Sequence, residues 1–461
     1  MNTSAKIINK LDLKILILFA IFEVLLFNSS NIIKLVVSTI EYLFVFFVFI
    51  KNCKIGILYF FSFLILSIGF GNYAGFEDGV SNFWGLRFFG VSFSIVVLMI
   101  FSLIIFSKKN IYDSFRFNSF SLFLFLFITY GFVNGAINVV FHLSYLDNFI
   151  NDSMTYIPFF FYIVLLNYVE KEDLFLLFKY LFPISIIQVL LSAMTNNKSF
   201  YSDYFIVTNC IGLILPIAVF FLKKYYKFSL WIFMVFVIGY VFYTSQYFIS
   251  GKLIILVLLV AFVKIINNKK FYWFIGPLIL VLFFLNDLFV LLIDLFGSSK
   301  VIVFKFSQVQ DLLFNVNFDV LARTPTSIGN LIAEYLTTLE YLLRNPFYFI
   351  FGKGFGAGLP DIFGYLSPWV YENGYAPIDL SRNEYFRAHL PVFDIFLKGG
   401  IFFLIFYLLV LFRYIKKFNT YGVMVFMMTL TIFNLTKEMM LATLILNKLF
   451  EYSINSSDKI L

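Results

Sequence analysis

The sequence predicts an all-α polytopic integral membrane protein of about 13–14 transmembrane helices with one long loop late in the chain. Three observations carry that reading. Of 461 residues 61% are hydrophobic and only 13% charged, about half the charge that soluble domains carry. Apolar runs of about 20 residues recur, each long enough to cross about 30 Å of hydrocarbon. The loops between those runs alternate in charge along the chain, as the positive-inside rule demands of consecutive spans.

Apolar runs place spans near 11–28, 32–50, 55–70, 86–106, 117–137, 154–169, 174–194, 204–222, 228–246, 251–266, 271–293, 390–412 and 420–436, with a shorter segment near 439–452. The first run follows Lys6, Lys10 and Lys14 and lacks a small-residue cleavage site, so it reads as an uncleaved helix rather than a signal peptide. One set of loops carries Lys51 and Lys54, then Lys108, Lys109 and Arg116, then Lys223, Lys224 and Lys227, then Lys269 and Lys270, then Arg413, Lys416 and Lys417. The alternate loops are neutral or acidic, with Glu77, Asp78, Asp147 and Asp152 among them. This alternation places the N-terminus in the cytoplasm and the long loop on the other side. Three regions follow: a helix bundle over 1–293, the long loop over 294–389, and further spans over 390–461.

The formal net charge of +8 resides in those short loop clusters, so it orients spans and does not read as a nucleic-acid surface. The long loop itself holds seven Lys/Arg and nine Asp/Glu, so it is no polybasic lipid-binding segment either. Within it Thr324-Pro325 resembles a helix start, and Ile328, Leu331, Ile332, Tyr335, Leu336, Leu339, Leu342 and Leu343 repeat at helical spacing until Asn345-Pro346. An amphipathic helix over about 325–344, lying on the membrane or on the bundle, is the expectation. The rest of the loop, rich in Gly, Pro and Tyr, reads as an irregular lid.

The segment Gly352-Lys353-Gly354-Phe355-Gly356-Ala357-Gly358 follows a strand-like apolar stretch. It lacks the Gly-Lys-Ser/Thr of a phosphate loop, and Leu359-Pro360-Asp361 stands where a dinucleotide fold needs a helix. What remains is a backbone role: Gly352, Gly354 and Gly356 permit tight turns and bring amide groups close to an anion or a sugar. Two histidines, two cysteines and no H-E-x-x-H pattern leave no metal site, no G-x-S-x-G elbow supports a hydrolase, and no cofactor is called for. Charged residues inside apolar runs are functional candidates by default: Asp287, Asp394 and Lys398, and more weakly Glu23 and Glu41 as a proton or ion path. Arg87 reads as a snorkelling residue and Asp394 as a partner for a nearby cation.

The order Arg323, Asn345-Pro346, Gly352-x-Gly354-x-Gly356, His389, Gly399-Gly400 over residues 323–400 resembles the bacterial O-antigen polymerase and ligase group of membrane proteins. Ser250-Gly251-Lys252 stands where that group has a serine–arginine pair. The resemblance implies a metal-independent membrane glycosyltransferase of GT-C-like architecture in the bacterial inner membrane, with the long loop periplasmic. Its donor and acceptor would be undecaprenyl-diphosphate-linked oligosaccharides, and a chain-length regulator protein would be a further partner beside the bilayer. Polymerisation of repeat units is the first expectation, ligation of polysaccharide to lipid A-core the second, and a flippase or other transporter the alternative from another class. By the same resemblance Arg323 and Lys252 would hold the diphosphate, and His389 would accept or orient the acceptor hydroxyl. Arg344, Arg382 and Arg387 would be further diphosphate candidates, each with a surface ion pair to Glu340 or Glu384 as its plainer use, and Gly352, Gly354 and Gly356 would shape the glycan groove.

Overall fold

The computed structural model describes residues 12–26, 29–67, 87–88, 91–108, 117–174, 327–361, 381–382, 384–385 and 391–418, with isolated positions over 176–184 and 444–448. These residues are mostly helical. Among the described residues four helices are long and apolar enough to cross a membrane: Ile32–Lys51, Ser119–Val140, Leu146–Tyr168 and Val392–Val410. The chain is an all-α membrane protein over the described residues. Spans expected between 185 and 326 and beyond 418 lie outside them.

Two compact units divide the chain. The first contains α1 (Leu13–Leu26), α2 (Asn31–Lys51), α3 (Cys53–Leu66), a two-residue hairpin of β1 (Arg87–Phe88) and β2 (Val91–Ser92), and α4 (Phe93–Lys108). It also takes α5 (Ser119–Val140) as far as Tyr130, α6 (Leu146–Tyr156) from Ile150 and all of α7 (Pro158–Tyr168). Asn52 alone joins α2 to α3. Its amide closes α2 on the Val48 carbonyl and its Oδ1 caps α3 at the Ile55 amide, 3.2 Å away, so two helices turn on one residue. Every residue of α3 except Lys54 is buried, whereas Ile32, Ile33, Leu35, Val36, Ile40, Leu43, Phe47 and Ile50 on α2 are exposed. An apolar helix exposed along one face has lipid as its natural solvent. Stacked rings, Phe19 on Phe63 at 3.9 Å and Phe49 on Phe101 at 3.6 Å, fill this core.

The expectation of a helix from about 86 is corrected here: Arg87 pairs with Ser92 and Phe88 with Val91, and α4 begins only at Phe93. Gly90 in that stretch disfavours a helix by about 1 kcal/mol. Glu23 (1% exposed) and Glu41 (8%) lie in this unit and interact electrostatically with each other.

The second unit holds α5 from Gly131, the connection to Phe149, α8 (Ser327–Arg344), α9 (Pro346–Phe351), β3 (Leu359–Pro360), β4 (Glu384–Tyr385) and α10 (Pro391–Phe418). The stretch preceding Gly352, read as strand-like, is the helix α9: Pro346 occupies its first turn, where a missing amide costs nothing. The region 138–153, read as a loop, is largely helical. α5 runs on to Val140 and closes with His142 in the left-handed region (φ 57), the Leu143 amide donating to the Asn138 carbonyl. That is a helix-stop geometry, and it gives His142 a structural use.

Candidate functional site

The polar groups of the second unit converge on Gly352–Gly358, where every residue is buried. The segment lies against two apolar helices. On the α10 side the Lys353 amide donates to the Leu397 carbonyl (2.8 Å) and the Gly354 amide to the Lys398 carbonyl (2.9 Å). Gly400, at φ 70 and ψ −172, interrupts α10 just after these two carbonyls. On the α5 side the Phe355 amide donates to the Gly131 carbonyl (2.8 Å), Asn134 Nδ2 to the Gly352 carbonyl (3.1 Å), and Asn138 Nδ2 to the Lys353 carbonyl. Non-helical backbone beside apolar helices is tolerated only when its polar groups find such partners.

Glycine is required here for space as well as for dihedral angles. Gly352, Gly354 and Gly356 all have positive φ. A methyl group on Gly354 would meet the Gly135 amide at 2.3 Å, and one on Gly352 would meet the Gly400 nitrogen and the Lys398 carbonyl carbon at 2.5 Å. Across the contact, a methyl on Gly131 or Gly135 would strike Phe355. Gly131-x-x-x-Gly135 is a small-xxx-small pattern of the kind that brings membrane helices together; its partner here is a loop. The glycines thus serve close backbone packing. The amides of Lys353, Gly354 and Phe355 donate to protein carbonyls.

Lys353 is 4% exposed. Its Nζ donates to the Gly358 carbonyl (3.1 Å) across its own turn and stands over the rings of Tyr341 (5.3 Å) and Tyr348 (5.8 Å). Burial, with Tyr348 and Glu384 nearby, raises the Tyr341 phenol to about 12, so it remains neutral and able to donate a hydrogen bond. Four residues along α10 from its partner, Lys398 binds both oxygens of Asp394 at 2.7 and 2.9 Å, and both side chains are fully buried. This is the cation expected to pair with Asp394.

Arg344 is exposed and paired with Glu340 at 2.8 Å. Arg382 bonds both oxygens of Asp147 at 3.1 and 2.9 Å, and its guanidinium lies 3.9 Å from the centre of the Tyr145 ring. The partner expected from sequence, Glu384, instead lies against Gly358 and Lys353. Arg382 therefore ties its strand-flanking segment to the first turn of α6. His389, Arg323, Lys252, Arg387 and Asp287 lie outside the described residues.

Sequence reasoning passed over Asn134, Asn138, Gly131 and Gly135. Their signal was present: two amides and two glycines at helical spacing inside one apolar run. No group of three or more His, Cys, Asp or Glu side chains able to hold a metal occurs among the described residues. Set against models of protein families, curated proteins and solved structures, the chain matches none.

Proposed function

We propose that this chain is a polysaccharide polymerase of the inner membrane that joins undecaprenyl-diphosphate-linked repeat units on the periplasmic face. The observation that supports it is the docking of Gly352–Gly354 onto Leu397–Gly400. The glycine segment and the Gly399-Gly400 pair flank His389 in the order that carries the family resemblance, and they pack directly on one another. In the reaction the acceptor hydroxyl oxygen attacks the anomeric carbon of the donor glycan as the bond from that carbon to the diphosphate oxygen breaks. The electron pair leaves with the diphosphate, and His389 takes the hydroxyl proton, a contribution of about 10²–10⁴ in rate for a positioned base. Arg323 and Lys252 face the charge growing on the leaving diphosphate. Arginine does so with a fixed, two-pronged donor set.

A broken apolar helix with non-helical backbone and a buried ion pair beside it favours one other reading, a transporter, because such helices form substrate sites in transport proteins. Complementation of a polymerase-deficient strain separates the two. His389→Ala and Arg323→Ala are expected to abolish long polysaccharide ladders while a single repeat unit still reaches lipid A-core. Intact ladders from both variants would refute the catalytic assignment. Accumulation of lipid-linked polymer indicates a ligase, and loss of lipid-linked units from the outer face a transporter.

A further inference from the structure

Contacts within the second unit read out the course of residues 335–359 beside α10. Tyr335 meets Phe393 (5.1 Å), Phe349 meets Phe396 (5.4 Å), and Phe351 meets Phe402 (6.3 Å). The chain then turns: Gly352 abuts Gly400, Lys353 bonds Leu397 and Phe355 bonds Gly131. It climbs back to Gly358, packed against Glu384, and to Leu359, paired with Tyr385. Arg382, three residues before Tyr385, is tied to Asp147, beyond the end of α5.

Two independent rulers give the depth of the turn. Phe393 lies one residue inside the apolar span Val392–Val410, and Phe402 is nine residues further along. At 1.5 Å per residue the unbroken part of that course, Phe393 to Gly399, is about 9 Å of helix, and Phe402 lies beyond the break at Gly400. On the other side Gly131 is nine residues back from Val140, the end of the apolar span Ser119–Val140, about 13 Å. Both rulers put the turn well inside a hydrocarbon core of about 30 Å.

Burial along this stretch points to an apolar surrounding. On α8 the side chains of Glu334, Thr337 and Thr338 are no more than 1% exposed, while Tyr335 is 44% exposed and Leu343 58%. Phe347 is 64% exposed and Phe351 42%, continuous with Phe402 on the outer face of a membrane helix at 62%. A segment bathed in water would hide the phenylalanines and expose the threonines. Ala333 and Leu342 are buried as well, so α8 hides polar and apolar side chains alike while phenylalanines stand outside, as a hydrocarbon solvent permits.

We infer that Pro346–Gly358 is a re-entrant segment: α9 descends into the bilayer with Phe347 and Phe351 against acyl chains, the chain turns well inside it, and it leaves by the side it entered. Arg344, 61% exposed at its side chain, marks the headgroup level above it. This does not rest on the proposed activity, since it concerns where the segment lies and not what it catalyses.

The test uses the full chain with Cys53 and Cys210 replaced by serine, reconstituted in phosphatidylethanolamine–phosphatidylglycerol vesicles. Single spin-labelled cysteines replace Arg344, Phe347, Phe351 or Phe402, and relaxation by oxygen, which partitions into lipid, is compared with relaxation by a water-soluble nickel chelate. The oxygen-to-nickel ratio is expected to rise from 344 through 347 to 351 and to match there the value at 402. Equal access of nickel to 344 and 351 would overturn the inference. The unmodified chain gives a second reading: a photoreactive probe dissolved in the bilayer labels peptide 346–351 and a water-soluble analogue does not. Labelling by the aqueous probe, or by neither, has the opposite meaning.

Discussion

Gly354→Ala tests how tightly the glycine segment is held. The substitution forces alanine to φ 76, which costs an L-residue about 1–2 kcal/mol. Its methyl group would lie 2.3 Å from the Gly135 nitrogen and 2.8 Å from the Asn134 carbonyl carbon. Both are backbone atoms of a membrane helix, so relief requires about 1 Å of main-chain movement and strains the bond from the Gly354 amide to Lys398. Overpacking of this kind costs about 1–3 kcal/mol. Together the two effects come to about 2–5 kcal/mol, an equilibrium change of about thirtyfold at the lower end. Gly358→Ala is the control within the same turn. Its methyl would meet Glu384 Oε2 at 2.5 Å, the end of a flexible side chain that can swing aside. Thermal denaturation of detergent-purified protein, followed by loss of the monodisperse chromatographic peak, is expected to show Gly354→Ala melting well below the parent and Gly358→Ala close to it. If Gly354→Ala melted with the parent, the segment would not be locked between α5 and α10, and the geometry argued from the glycines would fail.

Lys398→Met leaves the Asp394 carboxylate buried without its cation and should destabilise by about 3–5 kcal/mol, whereas Asp394→Leu/Lys398→Met together should restore most of the melting temperature. If the double variant also keeps the polysaccharide ladder, the pair is structural; if it is stable and inactive, the charges serve the reaction. Arg382→Ala and Asp147→Ala, with their double variant, should give a coupling of no more than about 1 kcal/mol, because the pair is partly solvated. A larger value from the thermodynamic cycle would place Arg382 in a deeper site than its exposure indicates.

Helical, apolar character was legible in the sequence because it needs only composition and run length, both of which survive without knowledge of neighbours. Local punctuation was legible only in part. Pro346 marks a boundary, but it begins α9 at the point where α8 stops, and proline is compatible with both. The amphipathic helix expected over about 325–344 is α8, and its apolar repeat divides between two surroundings: Leu342 is fully buried and Ile332, Leu336 and Leu339 pack on the buried cluster, whereas Tyr335 and Leu343 are exposed; Glu334, Thr337 and Thr338 are buried as Leu342 is. Periodicity locates two faces of a helix but cannot say which is inside when the outside is itself apolar. The glycine run was recognised as a backbone device, but its partners lie outside any local window, on α10 in one direction and more than two hundred residues away on α5 in the other, and no local pattern pairs Asn138 with Lys353. Two asparagines four apart in an apolar helix were the available clue, since an amide in hydrocarbon must find a partner.

The geometry of the glycine segment also narrows how the proposed chemistry would work. A loop that offered its amides to a diphosphate could stabilise the leaving group with backbone dipoles alone. The amides of Lys353, Gly354 and Phe355 are already spent on Leu397, Lys398 and Gly131, and the Lys353 ammonium on the Gly358 carbonyl and two aromatic faces. Arg382 and Arg344 are engaged by carboxylates. On the proposed reading, charge stabilisation falls first to Arg323 and Lys252, with Arg344, Arg382 and Arg387 behind them, and the glycine segment contributes rigidity. The consequence concerns selectivity of damage: substitutions at Gly352 or Gly354 should lower the amount of folded protein, whereas substitutions at Arg323 should leave that amount unchanged and remove the product.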